Sequence, residues 1–301
     1  MIVFRVVDTE TTGLEPSDEV VEAAMVDVLF DGAPGQPCHH WQGLFRPSKP
    51  IPPESSAIHH ITDAMVEGRE DFKAAGWKLL VDGDLGRPDY YVAHNAGFDG
   101  VYVTEQIRGG VPLLCTYKAA LRIWPDAPGF GNQVLRYWLK LSVDGPTEPA
   151  HRALPDANVT AHLLVEILKK ASVSDLVAWS AQPAVLPRIS FGKHAGAQWT
   201  ELPTDYLEWM VSDKAKDLDP DARWNARHEL DRRFAANRSA YVAACCEAAS
   251  FASTVEDLMS WFTKESDHRR FFGISRDDSD YAAIVAACAA RKAQITGTAN
   301  G

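Results

Sequence analysis

The feature that most constrains the fold of this chain is an apolar segment that ends in two carboxylates. The run from Ile2 to Val7, interrupted only by Arg5, has the composition of a buried β-strand, and it leads into Asp8 and Glu10. Because side chains alternate along a strand, these two carboxylates point to the same side at its carboxyl end. They repel each other unless a cation lies between them. The pair is therefore either solvated or part of a site for Mg²⁺ or Mn²⁺, which prefer oxygen ligands.

The order of the following segments predicts the fold class. Segments 20–30 and 38–46 are strand-like in composition and turns separate them, so with the first strand they predict a three-stranded meander whose last two strands are antiparallel. Two further strands, at 89–94 and 113–116, alternate with helical segments. Strands followed by alternating helices and strands indicate an α/β fold with a mixed sheet flanked by helices.

The length of 301 residues is too great for one small core and predicts more than one domain. We expect a first domain over residues 1–172 and a proline-containing linker over residues 173–187. A small module over residues 188–237 and a helical tail module over residues 238–301 complete the predicted organisation.

Composition narrows the classes of function. The net charge of −11 argues against broad binding to a polyanion and favours a footprint of only a few phosphates. The chain has no apolar stretch long enough to span a membrane, no signal-like start, and five scattered cysteines without metal-ligand spacing. We therefore expect a soluble cytoplasmic protein with no membrane partner.

Further candidate ligands stand at the end of another strand and at the start of a helix. Asp99 follows a buried strand at a strand-to-helix junction, and His151 and Asp156 flank the start of a long helix. With Asp8 and Glu10 they supply four carboxylates, which suits two divalent metal ions about 3.5–4 Å apart at a phosphodiester. A histidine with a pKa of about 6.5 can accept a proton from water at neutral pH.

Three motifs together resemble the DEDDh superfamily of 3′→5′ exonucleases, which has an RNase H-like fold. The motifs are Asp8-Thr9-Glu10-Thr11-Thr12-Gly13-Leu14, His94-Asn95-Ala96-Gly97-Phe98-Asp99 and His151-Arg152-Ala153-Leu154-Pro155-Asp156. Within the superfamily the chain is most similar to the exodeoxyribonuclease X family. A C-terminal Phe191-Gly192-Lys193 pattern, with Gly196, Leu202-Pro203, Tyr206-Leu207 and Trp209, also resembles that family's C-terminal module. The resemblance covers about residues 1–235.

The resemblance implies a role for each matched residue. Asp8, Glu10, Asp99 and Asp156 would hold two Mg²⁺ ions, for which Mn²⁺ would substitute, and Asp8 would bridge them. His151 would be the general base. Thr11, Gly13 and Leu14 would contact the terminal nucleotide. The contacts would be made by backbone amides and by Leu14 as an apolar wedge. Two roles remain open for Asn95, which is either a turn residue or a substrate contact.

The implied function is removal of nucleotides from a free 3′ end, with DNA favoured over RNA and nucleoside 5′-monophosphates as products. An exoribonuclease of the same superfamily and a non-catalytic nucleic-acid-binding module remain alternatives. Arg188, Lys193, Trp199, Tyr206 and Trp209 suggest a second nucleic-acid contact, although core packing is the other role open to the aromatic residues. Residues 238–301 have no counterpart in the resemblance and are a candidate surface for a protein partner.

Overall fold

The computed structural model describes residues 1–81 and 83–298, and in that part of the chain one mixed sheet has five strands. The strands are β1 (Ile2–Thr11), β2 (Val20–Phe30), β3 (Pro34–Leu44), β4 (Tyr90–Ala93) and β5 (Leu113–Cys115). They lie in the order β3-β2-β1-β4-β5. The first three are an antiparallel meander, while β4 runs parallel to β1 and β5 parallel to β4. The predicted α/β fold with a mixed, helix-flanked sheet is confirmed.

Helices cover both faces of this sheet. They are α1 (Pro53–His59), α2 (Asp63–Val66), a π-helix (Phe72–Gly76), α3 (Trp77–Val81), α4 (Ala96–Asp99), α5 (Glu105–Arg108), α6 (Thr116–Ile123), α7 (Asn132–Trp138), α8 (Ala153–Leu168) and α9 (Val173–Ala181). The longest of them, α8, packs across β1, β2 and β3.

The alternation of β1 divides its side chains between two apolar cores. Val6 packs in the core that includes Leu163 and Ile167 of α8, and Val7 packs in the core on the opposite face of the sheet. Asp8 lies two residues after Val6 and therefore shares the face that α8 covers. The strand thus directs its first carboxylate toward the side of the sheet where α8 lies.

The predicted linker over residues 173–187 is wrong in its first half. Val173–Ala181 forms α9, which packs against β5 and α6. Ser172 caps this helix, because its hydroxyl accepts a hydrogen bond from the Asp175 amide and the Asp175 carboxylate accepts one from the Ser172 amide. The cap and the apolar contacts make this segment part of the first unit, which extends to Phe191.

A second compact unit begins at Gly192 and is mostly helical. Its helices are α10 (Thr204–Val211), α11 (Pro220–Phe251), α12 (Val255–Lys264), α13 (Ser266–Phe271) and α14 (Ser279–Thr298), preceded by short 3₁₀ turns at Gly192–His194 and Trp199–Glu201. The boundary predicted between residues 237 and 238 is wrong, because it lies in the middle of α11. Within this unit α11 packs against both α10 and α14, so one helix joins the two predicted modules.

No helix in the described ranges is long and apolar enough to cross a membrane.

Candidate active site

Asp8 and Glu10 lie at the carboxyl end of β1, beside the end of the parallel strand β4. In the antiparallel pairing with β2, Asp8 is opposite Ala24 and Glu10 is opposite Glu22. Both predicted ligands are partly buried. Parallel neighbours bring their carboxyl ends to one edge of the sheet, so residues that follow β4 meet this end of β1.

Asp99 comes from α4, which follows β4. Its side chain is only 3% exposed, and Oδ1 accepts a hydrogen bond of 2.8 Å from the Thr9 hydroxyl on β1. Burial raises the pKa of Asp99 to about 7, although the hydrogen bonds from Thr9 oppose the shift. The third predicted carboxylate is thus fixed directly to the strand that carries the first two.

Asp156 lies in the first turn of α8 and is held by two donors. Its Oδ1 accepts a bond of 2.8 Å from Gln133 Nε2, and its Oδ2 accepts one of 2.8 Å from the backbone amide of His151. His151 has a positive φ of 59°, and its side chain is exposed. The sharp turn at His151 therefore presents the imidazole to solvent while its amide orients the neighbouring carboxylate.

The charges of Asp99 and Asp156 act on both Asp8 and Glu10. Burial raises the pKa of Asp8 well above its usual range, and the charges of Asp99, Glu10 and Asp156 raise it further. The same two causes, burial first and neighbouring carboxylates second, raise the pKa of Glu10 to about 8. Burial also raises the pKa of Asp156. The site therefore concentrates negative charge that a cation would stabilise.

The donor chemistry fits divalent metal ions, although the carboxylates are not drawn together into a tight cluster. Among residues 1–81 and 83–298, no three His, Cys, Asp or Glu side chains lie close enough together to hold a metal ion as they stand. Repulsion between ionised carboxylates favours such spacing, because each approach raises the Coulomb energy. Four carboxylates, of which Asp8, Glu10 and Asp156 are partly exposed to water, nonetheless match the oxygen ligands and retained waters that Mg²⁺ prefers.

The predicted nucleotide-contacting residues form a turn that side-chain hydrogen bonds stabilise. The Thr11 hydroxyl donates to the Gly13 carbonyl at 2.5 Å, and the Asp18 carboxylate accepts from the Thr12 hydroxyl and the Glu15 amide. A Cβ at Gly13 would meet the Asp18 carboxylate, so a larger residue here would have to displace that side chain. Leu14, next in the chain, is 85% exposed.

The two residues that follow β4 have different environments. Asn95 is exposed, adopts the left-handed conformation and makes no capping hydrogen bond with its side chain. His94 is enclosed: Nε2 donates to the Phe130 carbonyl at 2.7 Å and Nδ1 faces the Thr116 hydroxyl at 2.9 Å. Burial lowers the pKa of His94 to about 4, so the ring is neutral at physiological pH. These contacts make His94 a structural residue.

Sequence reasoning missed four residues that hold the site together: Thr9, Glu22, Gln133 and Arg152. Thr9 and Gln133 bond to two of the carboxylates. Glu22 and Arg152 form a salt bridge between β2 and the start of α8, with a shortest N–O distance of 2.6 Å. One signal was available, because Glu22 and Asp27 are the two charged residues in an otherwise apolar strand, and an unpaired charge is rarely buried.

A mixed sheet with carboxylates from β1, α4 and α8 gathered at one edge is the arrangement expected of a nuclease. The family model described as Exonuclease matches residues 6–164, and the chain belongs to this exonuclease family. The predicted membership among the DEDDh 3′→5′ exonucleases is confirmed, and the chain is an enzyme. Members of the family generally use divalent metal ions.

Individual relatives match segments of different length in this chain. Exodeoxyribonuclease 10 of Escherichia coli (strain K12) is 34% identical over 234 residues, which cover 76% of this chain and 99% of the relative. The 3′-5′ exonuclease DinG of Bacillus subtilis (strain 168) is 32% identical over 177 residues, or 56% of this chain and 18% of that protein. Among solved structures, exonuclease X in complex with 5′ overhanging duplex DNA has 33% identity, covers 59% of this chain and 99% of that one, and gives a TM-score of 0.47.

Proposed function

We propose that this enzyme removes nucleotides one at a time from the 3′ end of single-stranded or frayed DNA and releases nucleoside 5′-monophosphates. The observation that carries the proposal is the set Asp8, Glu10, Asp99 and Asp156 at one edge of the sheet, in which the charges of Asp99 and Asp156 raise the pKa of both Asp8 and Glu10. The relation to exodeoxyribonuclease 10 over nearly its whole length supports DNA as the substrate.

Two Mg²⁺ ions are the proposed cofactors, with Mn²⁺ as a substitute. Asp8, Glu10 and Asp156 would hold one ion, Asp8 would bridge to the second, and Asp99 would lie beside the second or bind it through water. When bound, the pair of ions activates the attacking water and stabilises the leaving oxygen of the phosphodiester. The carboxylates would also position the scissile phosphate by holding these charges at a fixed edge of the sheet.

His151 is the proposed general base. Its exposed imidazole lies on the turn that precedes α8, and its own amide is bonded to Asp156. This link keeps the proton acceptor next to a carboxylate of the site, so the imidazole can take the proton of the attacking water. The turn Thr11–Leu14 would receive the terminal nucleotide, with Leu14 against the base, and exposed Asn95 would contact the same nucleotide.

A single gel tests the activity, its polarity and its substrate. Oligomers of DNA and RNA, labelled at either the 3′ or the 5′ end, are incubated with Mg²⁺, Mn²⁺ or EDTA. We expect a 3′ label to be released at once as mononucleotide, a 5′ label to give a descending ladder, DNA to be degraded faster than RNA, and EDTA to stop the reaction. Faster degradation of RNA would make the enzyme an exoribonuclease, and binding without cleavage would make it a nucleic-acid-binding module.

Two expectations from the sequence stay predictions. One is the cytoplasmic location. The other is a protein partner for residues 238–301, which carry exposed apolar side chains such as Phe251 and Phe271.

A further inference from the structure

Glu22 is a buried carboxylate beside the proposed metal site. It lies on β2 directly opposite Glu10 of β1, and only 1% of its surface is exposed. Its oxygens accept three hydrogen bonds: from Nε of Arg152 at 2.8 Å, from Nη2 of Arg152 at 2.6 Å, and from the backbone amide of Ala153 at 3.0 Å. All three donors belong to the segment that leads into α8.

The donors lie between two residues of the proposed catalytic set. Arg152 directly follows His151, and Ala153 is the first residue of α8, one turn before Asp156. Arg152 is the N-cap residue of this helix, and its side chain makes no capping hydrogen bond. Glu22 instead binds the first helical amide from the neighbouring strand. A bidentate arginine–carboxylate pair fixes orientation as well as distance.

A direct role for Glu22 as a metal ligand does not agree with these contacts. Its oxygens are occupied by the guanidinium and the Ala153 amide, and the charge of Arg152 compensates its own. In the described part of the chain, no salt bridge joins an arginine to any of the four carboxylates of the proposed metal site. Glu22 and Glu10 are therefore cross-strand neighbours with different partners, one bonded to α8 and the other facing the site.

We infer that Glu22 and Arg152 form a positioning pair that sets the distance between Glu10 on the sheet and the His151–Asp156 segment at the start of α8. The inference rests on the proposed function, because it assigns the pair to the geometry of that metal site. Without the bidentate contact, α8 would stay packed on the sheet through its apolar side chains. Its first turn would lose its register against β1, and the site would bind metal ions less tightly.

The test uses the full chain with Arg152→Lys and Glu22→Gln, each of which keeps a polar side chain of similar size. Mn²⁺ binding is measured by calorimetry without substrate, and the rate is measured against Mg²⁺ concentration. We expect Mn²⁺ to bind about 10–100-fold more weakly, as is usual when the partners of metal ligands are lost. The Mg²⁺ requirement should rise in parallel, kcat should fall, and KM for a short oligomer should stay near the wild-type value.

Two further variants separate positioning from stability. In Arg238→Ala, a half-buried arginine of the second unit that bonds to Asp278 and Asp280 is lost, and metal binding should not change. In the double variant Glu22→Leu/Arg152→Leu, apolar packing replaces the ion pair, which often restores stability. We expect this double variant to melt near the wild-type temperature and still bind Mn²⁺ weakly.

The outcomes are distinct. Wild-type Mn²⁺ affinity in Arg152→Lys and Glu22→Gln, or recovery of affinity together with stability in the double variant, would reduce the pair to a fold-stabilising contact. Failure of the wild-type chain itself to bind Mn²⁺ or to degrade oligomers would overturn the proposed function. Weak binding in all three site variants, with Arg238→Ala unchanged, supports the positioning role.

Discussion

Each of the two units contains a largely buried glutamate, and the pKa values of these two glutamates are shifted in opposite directions. Glu229 of α11 is 4% exposed and accepts hydrogen bonds from Arg232 and Arg233. The bonds from Arg232 first, and then those from Arg233, lower its pKa to about 2 against the opposing effect of burial. Glu10 has its pKa raised to about 8, by burial first and then by neighbouring carboxylates.

The difference between the two pKa values follows from the charges of the neighbouring side chains. Arg233 also donates to the Thr204 hydroxyl and to the Leu202 carbonyl, at 2.8 and 2.7 Å, so Glu229 orients an arginine that ties α11 to the start of α10. Its charge is compensated, and the contacts serve the fold. At the end of β1, no salt bridge neutralises Asp8 or Glu10 within the described part of the chain, although the nearby charge of Arg152 lowers the pKa of Glu10. Such a set of carboxylates lowers stability and persists where function requires it.

The first unit contains the same contrast within two strands. Arg5 and Asp27, both fully buried, pair across β1 and β2 at 2.8 Å, and Arg5 also donates to the carbonyls of Leu80 and Val81. Three residues further along β1, the pKa of Asp8 is raised by the charges of other carboxylates. One pair of strands thus has a neutralised ion pair in its middle and a concentration of negative charge at its end.

The largest expected effect is that of Asp8→Asn. Loss of a bridging oxygen ligand should reduce cleavage to the level seen in EDTA, because no neighbour can replace it. In EDTA the same change should leave the melting temperature equal or higher, since it removes repulsion among uncompensated charges. Turnover near wild type at saturating Mg²⁺ would contradict the metal-ligand role, and a clearly lower melting temperature would show that Asp8 serves the fold as Glu229 does.

The next effect is that of His151→Ala, for which we expect kcat to fall on the order of 10²–10⁴-fold. Mn²⁺ affinity measured by calorimetry should not change, because the imidazole is proposed as a base and not as a ligand. His228, an exposed histidine stacked on Trp224 in the second unit, provides the matched control as His228→Ala. Loss of Mn²⁺ affinity in His151→Ala would assign the imidazole to the metal instead.

Glu229→Gln should affect stability and leave cleavage of short oligomers unchanged. Loss of charged hydrogen bonds should destabilise the second unit by roughly 1–3 kcal/mol. The pKa of Glu229 is lower in the folded protein than in the unfolded chain. Its contribution to stability is therefore complete above about pH 4.5 and is lost as the pH falls toward 2. Chemical unfolding at pH 7 and pH 3 should show a smaller difference between variant and wild type at pH 3. An equal difference at both values would contradict the assigned pKa.

The smallest expected effect concerns the predicted second nucleic-acid contact. Trp209 is 42% exposed and stacked on Tyr206 at 5.5 Å, and the Lys193 ammonium lies 5.4 Å from the Tyr206 ring centre. Trp199 is buried, which agrees with the core role. Stacking of one base contributes roughly 1–3 kcal/mol, so Trp209→Ala should raise KM about fivefold on long substrates and leave short ones unaffected.

The control for this contact is Trp224→Ala, which removes a partly buried tryptophan of α11 that stacks on His228 in the same unit. Equal KM values for Trp209→Ala, Trp224→Ala and the wild type on every substrate length would remove the second contact. The second unit would then be a structural or protein-binding part.

Much of the site was determined by the sequence alone. Strand periodicity placed Asp8 and Glu10 on one face, and the junctions after β4 and before α8 predicted that Asp99 and Asp156 would meet them. These inferences rest on local rules: side chains alternate along a strand, and the other carboxylates stand at a strand end or a helix start. The mixed sheet followed from the same rules.

Only the tertiary structure decided which charges are compensated. In the sequence, Glu22 is an acidic residue like Glu10, and nothing local shows that it meets an arginine 130 residues away. Glu229 differs, because Arg232 and Arg233 stand three and four positions after it on the same helix. The helix α9 and the continuous α11 were missed for a related reason. Prolines suggested the first break and the end of the family resemblance suggested the second, whereas packing against distant strands and helices stabilises helical structure that local propensity does not decide.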